Sequence, residues 1–267
     1  MSVKNLRILF IGDVFGRPGR EAVRGHLPQI LEERRIDLCV ANIENSAAGH
    51  GVTPPLAHQF FEMGVEVLTS GNHVWDRKEI LDFLDHEPRL LRPANYPPTT
   101  PGHGLFVGET RSRVPFAVIN LQGRLFMPNI DCPFRVGEQL IDSLSPDIEV
   151  ILVDFHAEAT AEKQAMGWFL DGRVSAVLGT HTHVATADER MLPQGTAYMT
   201  DVGMTGAHDS IIGVETDIIR SKFIDQLPGR FGPAKQNVRI NAVVVDIDPE
   251  TGQAQGIERV SVKAESP

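Results

Sequence analysis

What this sequence has little of narrows the field first. It holds two cysteines, Cys39 and Cys132. Two thiols in a chain of 267 residues do not make the disulfide framework of a small secreted domain, so a reducing, cytoplasmic setting is expected. There is no C-x-x-C pair, which excludes a cysteine metal site. Long apolar runs are missing as well. Residues 6–11 and 150–153 are far too short to cross a bilayer, and no membrane partner is expected. The opening Met1-Ser2-Val3-Lys4-Asn5 leads at once into a strand-like run without a cleavage pattern, so a mature, untargeted start is expected. Basic charge is scarce: 25 Lys and Arg stand against 35 Asp and Glu, a net charge of -10. Such a surface repels polyanions, and stable binding to duplex nucleic acid is not expected. No basic stretch interleaved with aromatics is present, which argues against long single strands. A small phosphate ester in a metal-lined pocket stays compatible, because the local charge there is the ions' own.

What is present suits a globular domain. Hydrophobic residues make up 42% of the chain, enough for a sizeable core, and no repeat, low-complexity tract or linker divides it. One domain over 1–267 is expected. No heptad or interface stripe speaks to assembly, so a homo-oligomer stays open.

Short apolar runs alternate with amphipathic stretches. Strands are expected at 6–11, 38–41, 65–68, 114–121, 150–153, 174–178 and 197–199. Helices are expected over 20–35, with Ala22, Val23, Leu27, Ile30 and Leu31 on one stripe, and over 54–63, 76–84 and 161–170, with another inside 214–227. Thr53 is placed as the N-cap of the second, followed by proline in its first turn. Pro93, Pro97, Pro98 and Pro101 with Gly102 and Gly104 mark a loop. Residues 238–247 and 257–262 read as a closing hairpin around Asp248-Pro249-Glu250-Thr251-Gly252. Alternation of this kind predicts an α/β domain with helices on both faces of a sheet.

Unusual polar residues follow the strands. Asp13 comes after the first, Glu44 and Asn45 after the second, and Asn72 and His73 after the third. His156 follows the 150–153 run, and His181 and His183 follow 174–178. In α/β sheets the carboxyl ends of the strands open onto one crevice, so residues distant in sequence would meet there. Carboxylates, an amide oxygen and imidazoles form a mixed oxygen and nitrogen donor set suited to Mn, Fe or Zn. Each has a plainer alternative. Asp13 could cap a turn, Glu44-Asn45 could be solvated loop, Asn72-His73 could form an Asx turn, and His156 could be a satisfied core histidine. Thr180-His181-Thr182-His183 stands apart, since two histidines one residue apart can present both rings to one site. His50 and His208 lie in glycine-containing segments from which they could reach the pocket; His26, His58 and His86 read as helix surface or core.

At Gly12-Asp13, Gly71-Asn72-His73 and Gly179-Thr180-His181-Thr182-His183 the chain resembles the calcineurin-like metallophosphoesterases, whose pattern runs D-x-H, G-D, G-N-H, a lone His, then G-H-x-H. Phe15 stands where the first motif has histidine, and Glu44 where the second has aspartate. Together with segments 12–20, 92–95, 154–160 and 201–206, these departures resemble the YmdB-type phosphodiesterases over nearly the whole chain.

The resemblance implies a four-layer α/β/β/α sandwich of two packed mixed sheets, replacing the single sheet. It puts the strands near Ala117 and Ala197 and the closing hairpin in the second sheet. It implies two divalent metal ions, Fe or Mn ahead of Zn. Asp13 and His183 would hold one ion with the Asn45 amide oxygen nearby; Asn72, His156 and His181 would hold the other; Glu44 would bridge them. His73 would protonate the leaving oxygen while a hydroxide between the ions attacks phosphorus. The implied substrate is a small phosphodiester of the 2',3'-cyclic nucleotide class. A phosphomonoesterase or nuclease on the same site, or a metal-dependent nucleotide-binding signalling protein, are the alternatives, the last because Phe15 removes a ligand.

Overall fold

The structure, a computed structural model, describes residues 5–227 and 231–264. The expected untargeted start at residues 1–4 and the outer end of the 1–267 domain lie outside the described residues.

Two six-stranded sheets carry the architecture. In the first, β1 (Leu6–Ile11), β2 (Leu38–Asn42) and β3 (Val67–Thr69) run parallel, and β11 (Val238–Ile247) pairs antiparallel with β1. The short β10 (Gly206–Ala207) and the last strand, β12 (Ala254–Lys263), both pair with β11. In the second, β5 (Pro115–Gln122), β6 (Val150–His156), β7 (Ala176–Thr180) and β9 (Ala197–Met199) run parallel. Antiparallel edges close it: β4 (Leu105–Glu109) on β5 and β8 (Arg190–Met191) on β9. β2, β6 and β7 are buried at every residue, as parallel strands covered on both faces must be.

Three apolar layers explain the packing. α1 (Gly16–Glu33), α2 (Pro54–Glu62) and α3 (Ile80–His86) cover the outer face of the first sheet through Val23, Leu27, Phe60 and Leu84 against Leu9, Ile11 and Ala41. Between the sheets, Ile8, Phe10 and Val40 meet Val118, Leu152 and Leu178. α4 (Pro133–Asp142) and α5 (Thr160–Leu170) cover the second sheet's outer face, where Met166 and Leu170 join Ile119, Val153 and Val177. α6 (Thr216–Asp225) packs Ile219 beside Phe15, Met204 and Val214. The result is the α/β/β/α sandwich. Among the described residues, no helix is long and apolar enough to cross a membrane.

The structure corrects several expectations. The closing hairpin belongs to the first sheet, not the second, because β11 aligns with β1 from Leu6↔Ile247 to Ile11↔Ala242. The helix expected from residue 20 begins at Gly16; Pro18 lies in its first turn, where no intrahelical N–H is required. The helix expected over 76–84 divides into a 3-10 turn (Val74–Asp76) and α3. Thr53 occupies the N-cap of α2 without a side-chain capping bond. α4, β4, β8 and β10 are additions to the expected elements.

Candidate metal centre

The sheets bring their strand ends together at one place. Asp13, beyond β1, is fully buried, and its Oδ2 accepts the His181 N–H at 3.1 Å. Glu44, beyond β2, is equally buried and accepts on Oε2 from the His73 N–H at 3.1 Å. Around His156 Nε2 stand His181 Nδ1 at 3.0 Å, Glu44 Oε1 at 3.2 Å and Asn72 Oδ1 at 3.3 Å. Residues from both sheets therefore meet within hydrogen-bonding distance. The approach depends on Gly71, since a Cβ there would lie 2.1 Å from His156 Nε2 and 2.4 Å from Glu44 Oε2.

A buried network aims His156. Its Nδ1 lies 2.9 Å from Thr180 Oγ1, which donates to Asp154 Oδ1 at 2.7 Å. Asp154 Oδ2 also accepts from Thr69 Oγ1 at 2.5 Å and Asn42 Nδ2 at 3.0 Å. A hydroxyl that gives its proton to Asp154 can only accept from Nδ1–H, so Nε2 faces the cluster and is the nitrogen that would offer a lone pair to a cation once its own proton has left. His181 is turned by Glu158, whose carboxylate lies 3.2 Å from Nε2, so Nδ1 faces inward. His183 Nδ1 lies 2.9 Å from the Ile212 carbonyl, which fixes Nε2 as its inner nitrogen.

Asn45 differs from the expected amide-oxygen contact. Its Nδ2 donates to Glu44 Oε1 at 2.9 Å and stands 3.1 Å from His183 Nε2. Two acceptors face this amide and call for its N–H; a cation at His183 Nε2 would favour the opposite face. His73 has its Nδ1 2.9 Å from Asp76 Oδ2. The His50 ring lies 5.0 Å from that of His73. His208 instead sits beside β10 and contacts Asn241 Nδ2 at 3.1 Å and the Gly206 carbonyl at 3.0 Å.

The electrostatics follow from this crowding. Burial opposes charge on His156, but Glu44 and then Asp13 hold the imidazolium, and its pKa stands at about 9. Burial, reinforced by the His156 charge, presses His181 down to about 3. Burial raises the Asp13 carboxyl against the pull of His183 and His156. Burial also pushes Glu44 upward, but His156 overrides it and holds the carboxyl below its ordinary range. Asp154 is raised by burial to about 6.

This set of side chains fits a divalent cation. Ligand atoms of Glu44, His156 and His181 all lie within 4.8 Å of one another. Beside them Asp13 Oδ1 is buried without a hydrogen-bond partner. Oxygen and imidazole ligand atoms converge here and Asp13 Oδ1 meets no donor, an arrangement that suits positive charge. Asp154, Thr180, Asn42, Asp76 and Glu158 were not singled out from the sequence as parts of this site. Asp154 carried a signal: it lies two residues before His156, on the same face of one strand.

A two-sheet sandwich with this cluster at its strand ends defines the calcineurin-like metallophosphoesterase class. The family model described as "YmdB-like protein" matches residues 9–260, and the chain belongs to that family. A relative from Bacillus subtilis (strain 168), named 2',3'-cyclic-nucleotide 2'-phosphodiesterase, is 48% identical over 96% of this chain and 97% of its own. Among solved structures, a hypothetical protein from Thermus thermophilus is 42% identical, covering 97% of this chain and 100% of its own, with a TM-score of 0.91. A novel phosphatase from Mycoplasma pneumoniae is 32% identical, covering 99% and 95%, with a TM-score of 0.92.

Proposed function

We propose that this single-domain chain hydrolyses small phosphodiesters, with 2',3'-cyclic nucleotides as the substrate class, at a centre for two divalent ions. The observation that carries this is the convergence of Glu44, Asn72 and His181 on His156 Nε2, with the unpartnered Asp13 Oδ1 beside them. The name of the Bacillus subtilis relative supports the substrate class. Asp13 and His183, with Asn45 turned to offer its oxygen, would hold one ion. Asn72, His156 and His181 would hold the other, and Glu44 would serve both. Fe or Mn suits this oxygen and imidazole set, with Zn as the third choice. Two such ions supply Lewis acidity toward phosphoryl oxygens and lower the pKa of water.

The protein's own groups supply orientation and a proton. Thr180 and Asp154 fix the His156 tautomer, and Glu158 does the same for His181. The Asp76 carboxylate accepts from His73 Nδ1–H and orients the ring, and the imidazolium form of His73 would give its Nε2 proton to the departing alkoxide. Free Cys39 and Cys132 suit a reducing cytoplasm.

His73→Ala is expected to keep its metal content and lose about 10² to 10⁴ in rate on a diester with a poor leaving group. An activated leaving group should spare most of that loss. Undiminished turnover on the poor leaving group would remove His73 from the mechanism. Cyclic nucleotides, a linear diester and a monoester compared under one Mn²⁺ condition test the substrate class. Preference for either of the last two would reassign it. Tight nucleotide binding by loaded protein with no product would favour a binding role.

A further inference from the structure

Basic side chains are few in this chain, yet several gather on one groove of about 1210 Å³. Arg17, Arg20 and Arg24 lie three and four residues apart along α1, on one helix face. Arg77, just past the 3-10 turn, and Lys235, just before β11, line the same groove. Among the described lining residues Glu21 is the single carboxylate, and Arg24 Nη1 engages both its oxygens at 3.1 Å. His26 adds an imidazole whose Nδ1 lies 3.1 Å from the Ala22 carbonyl of its own helix. The apolar part of the lining comes from Ala22, Ala47, Leu56, Val238 and Ala264.

None of Asp13, Glu44, Asn72, His156, His181 and His183 lines this groove. Ala47 and Ala48 line the groove, and its arginines bind carbonyls of segment 46–50. Arg20 Nη1 donates to the Ser46 carbonyl, while Arg77 donates to the Ala47 carbonyl at 2.9 Å and the His50 carbonyl at 3.2 Å. Carbonyl partners anchor these guanidinium groups without neutralising them, so their charge is fixed at the groove wall. In a chain of net charge -10, a local cluster of this sign selects anions against the molecule's overall repulsion. Its volume exceeds the roughly 300–1,000 Å³ of ordinary small-ligand sites. Arginine supplies the planar donor forks that match phosphate oxygens, and the apolar lining suits the flat face of a base.

We infer that this groove is a second ligand site, separate from the metal centre, that takes a nucleoside polyphosphate. The test uses full-length protein stripped of metal by chelation, which disables the catalytic centre without touching the groove. Titration with ADP is expected to show binding that survives chelation and weakens as salt rises. Adenosine, lacking the phosphates, should bind far more weakly. Arg24→Glu and Lys235→Glu should each weaken ADP binding at least about tenfold. The same variants, reloaded with metal, should hydrolyse a diester at the parent rate and melt at the parent temperature. Arg24→Gln, a milder change, should fall between parent and Arg24→Glu. Absence of ADP binding to the chelated protein, or binding indifferent to all three substitutions, would overturn the assignment. So would tighter binding of a ten-residue single-stranded RNA than of ADP, which would make the groove a strand path.

Discussion

At Tyr198 a phenol lies 1% exposed within β9, its hydroxyl 2.8 Å from Thr200 Oγ1. Burial pushes its pKa up to about 12, against about 10 for an unfolded tyrosine. The sign follows directly. Between those values the unfolded chain sheds a proton that the folded one keeps, so the contribution to stability is intact below about pH 10 and drains away toward pH 12. Tyr198→Phe should cost about 1 kcal/mol at neutral pH, through the lost hydroxyl bond. It should also flatten the fall in melting temperature between pH 9.5 and 11.5. A parallel fall in parent and variant would deny Tyr198 that role. Buried polar residues differ in how far they declare themselves in sequence. Asp13, Glu44, Asn72, His181 and His183 were legible because each polar residue follows an apolar run. Asp154 was not read, because the apolar strand pattern stops at Val153, whereas β6 continues to His156. Hydrogen bonds from Asn42, Thr69 and Thr180, on three other segments, are what make a carboxylate tolerable there.

At the scale of elements, the turn after β7 bears a conformational cost that a distant helix helps offset. His181 and His183 both have positive φ, 100° and 66°, a backbone region that favours glycine over residues bearing a Cβ. Each such residue costs about 1–3 kcal/mol and persists where its surroundings hold it. Thr182, between them, donates to Asp201 Oδ2 from its N–H at 3.2 Å and its hydroxyl at 2.8 Å. That oxygen also receives Lys163 Nζ from α5 at 2.5 Å, with both side chains 1% exposed. Lys163→Met would leave the Asp201 charge buried and unpaired, at a cost of about 3–5 kcal/mol. Chemical denaturation should register that loss, and calorimetric titration with Mn²⁺ should show weaker uptake as the turn loosens. Lys163→Met combined with Asp201→Asn should recover part of the stability. If Lys163→Met binds Mn²⁺ like the parent, the pair serves the core alone. Nothing local in the sequence announced this link, because a lysine at the apolar face of an amphipathic helix looks like solvated surface. α4 escaped for a related reason: Gly137 interrupts a helical stripe formed by Val136, Leu140 and Ile141, which are only partly buried.

For the whole molecule, what matters is that each sheet supplies half of the cluster. Asp13, Glu44, Asn45 and Asn72 follow strands of the first sheet, while His156, His181 and His183 belong to the strand ends of the second. Alternating strands and helices were enough to expect an α/β domain, but not to assign strands to sheets. β11 pairs with β1 from more than two hundred residues away, and its hydrophobic pattern would suit an edge of either sheet. The pairing has a consequence for stability. A cation held by residues of both sheets, as proposed, would act as a cross-link between layers otherwise joined by apolar contacts such as Phe10, Val118 and Leu178. Ions that bind only the folded chain stabilise it by about 2.7 kcal/mol when free metal is a hundred times its dissociation constant. For a chain near this size each kcal/mol moves the midpoint by about 2–4 °C. Chelation should therefore lower the melting temperature by about 5–10 °C, and added Mn²⁺ should restore it in one cooperative transition. Asp13→Ala keeps the apolar layers but removes a fully buried carboxylate from the first sheet's side of the centre. It should shift less on chelation or Mn²⁺ addition than the parent does, because the ion held by Asn72, His156 and His181 would remain. A midpoint in the parent protein that ignores chelation, while its metal content falls to zero, would mean that ions bind without joining the sheets.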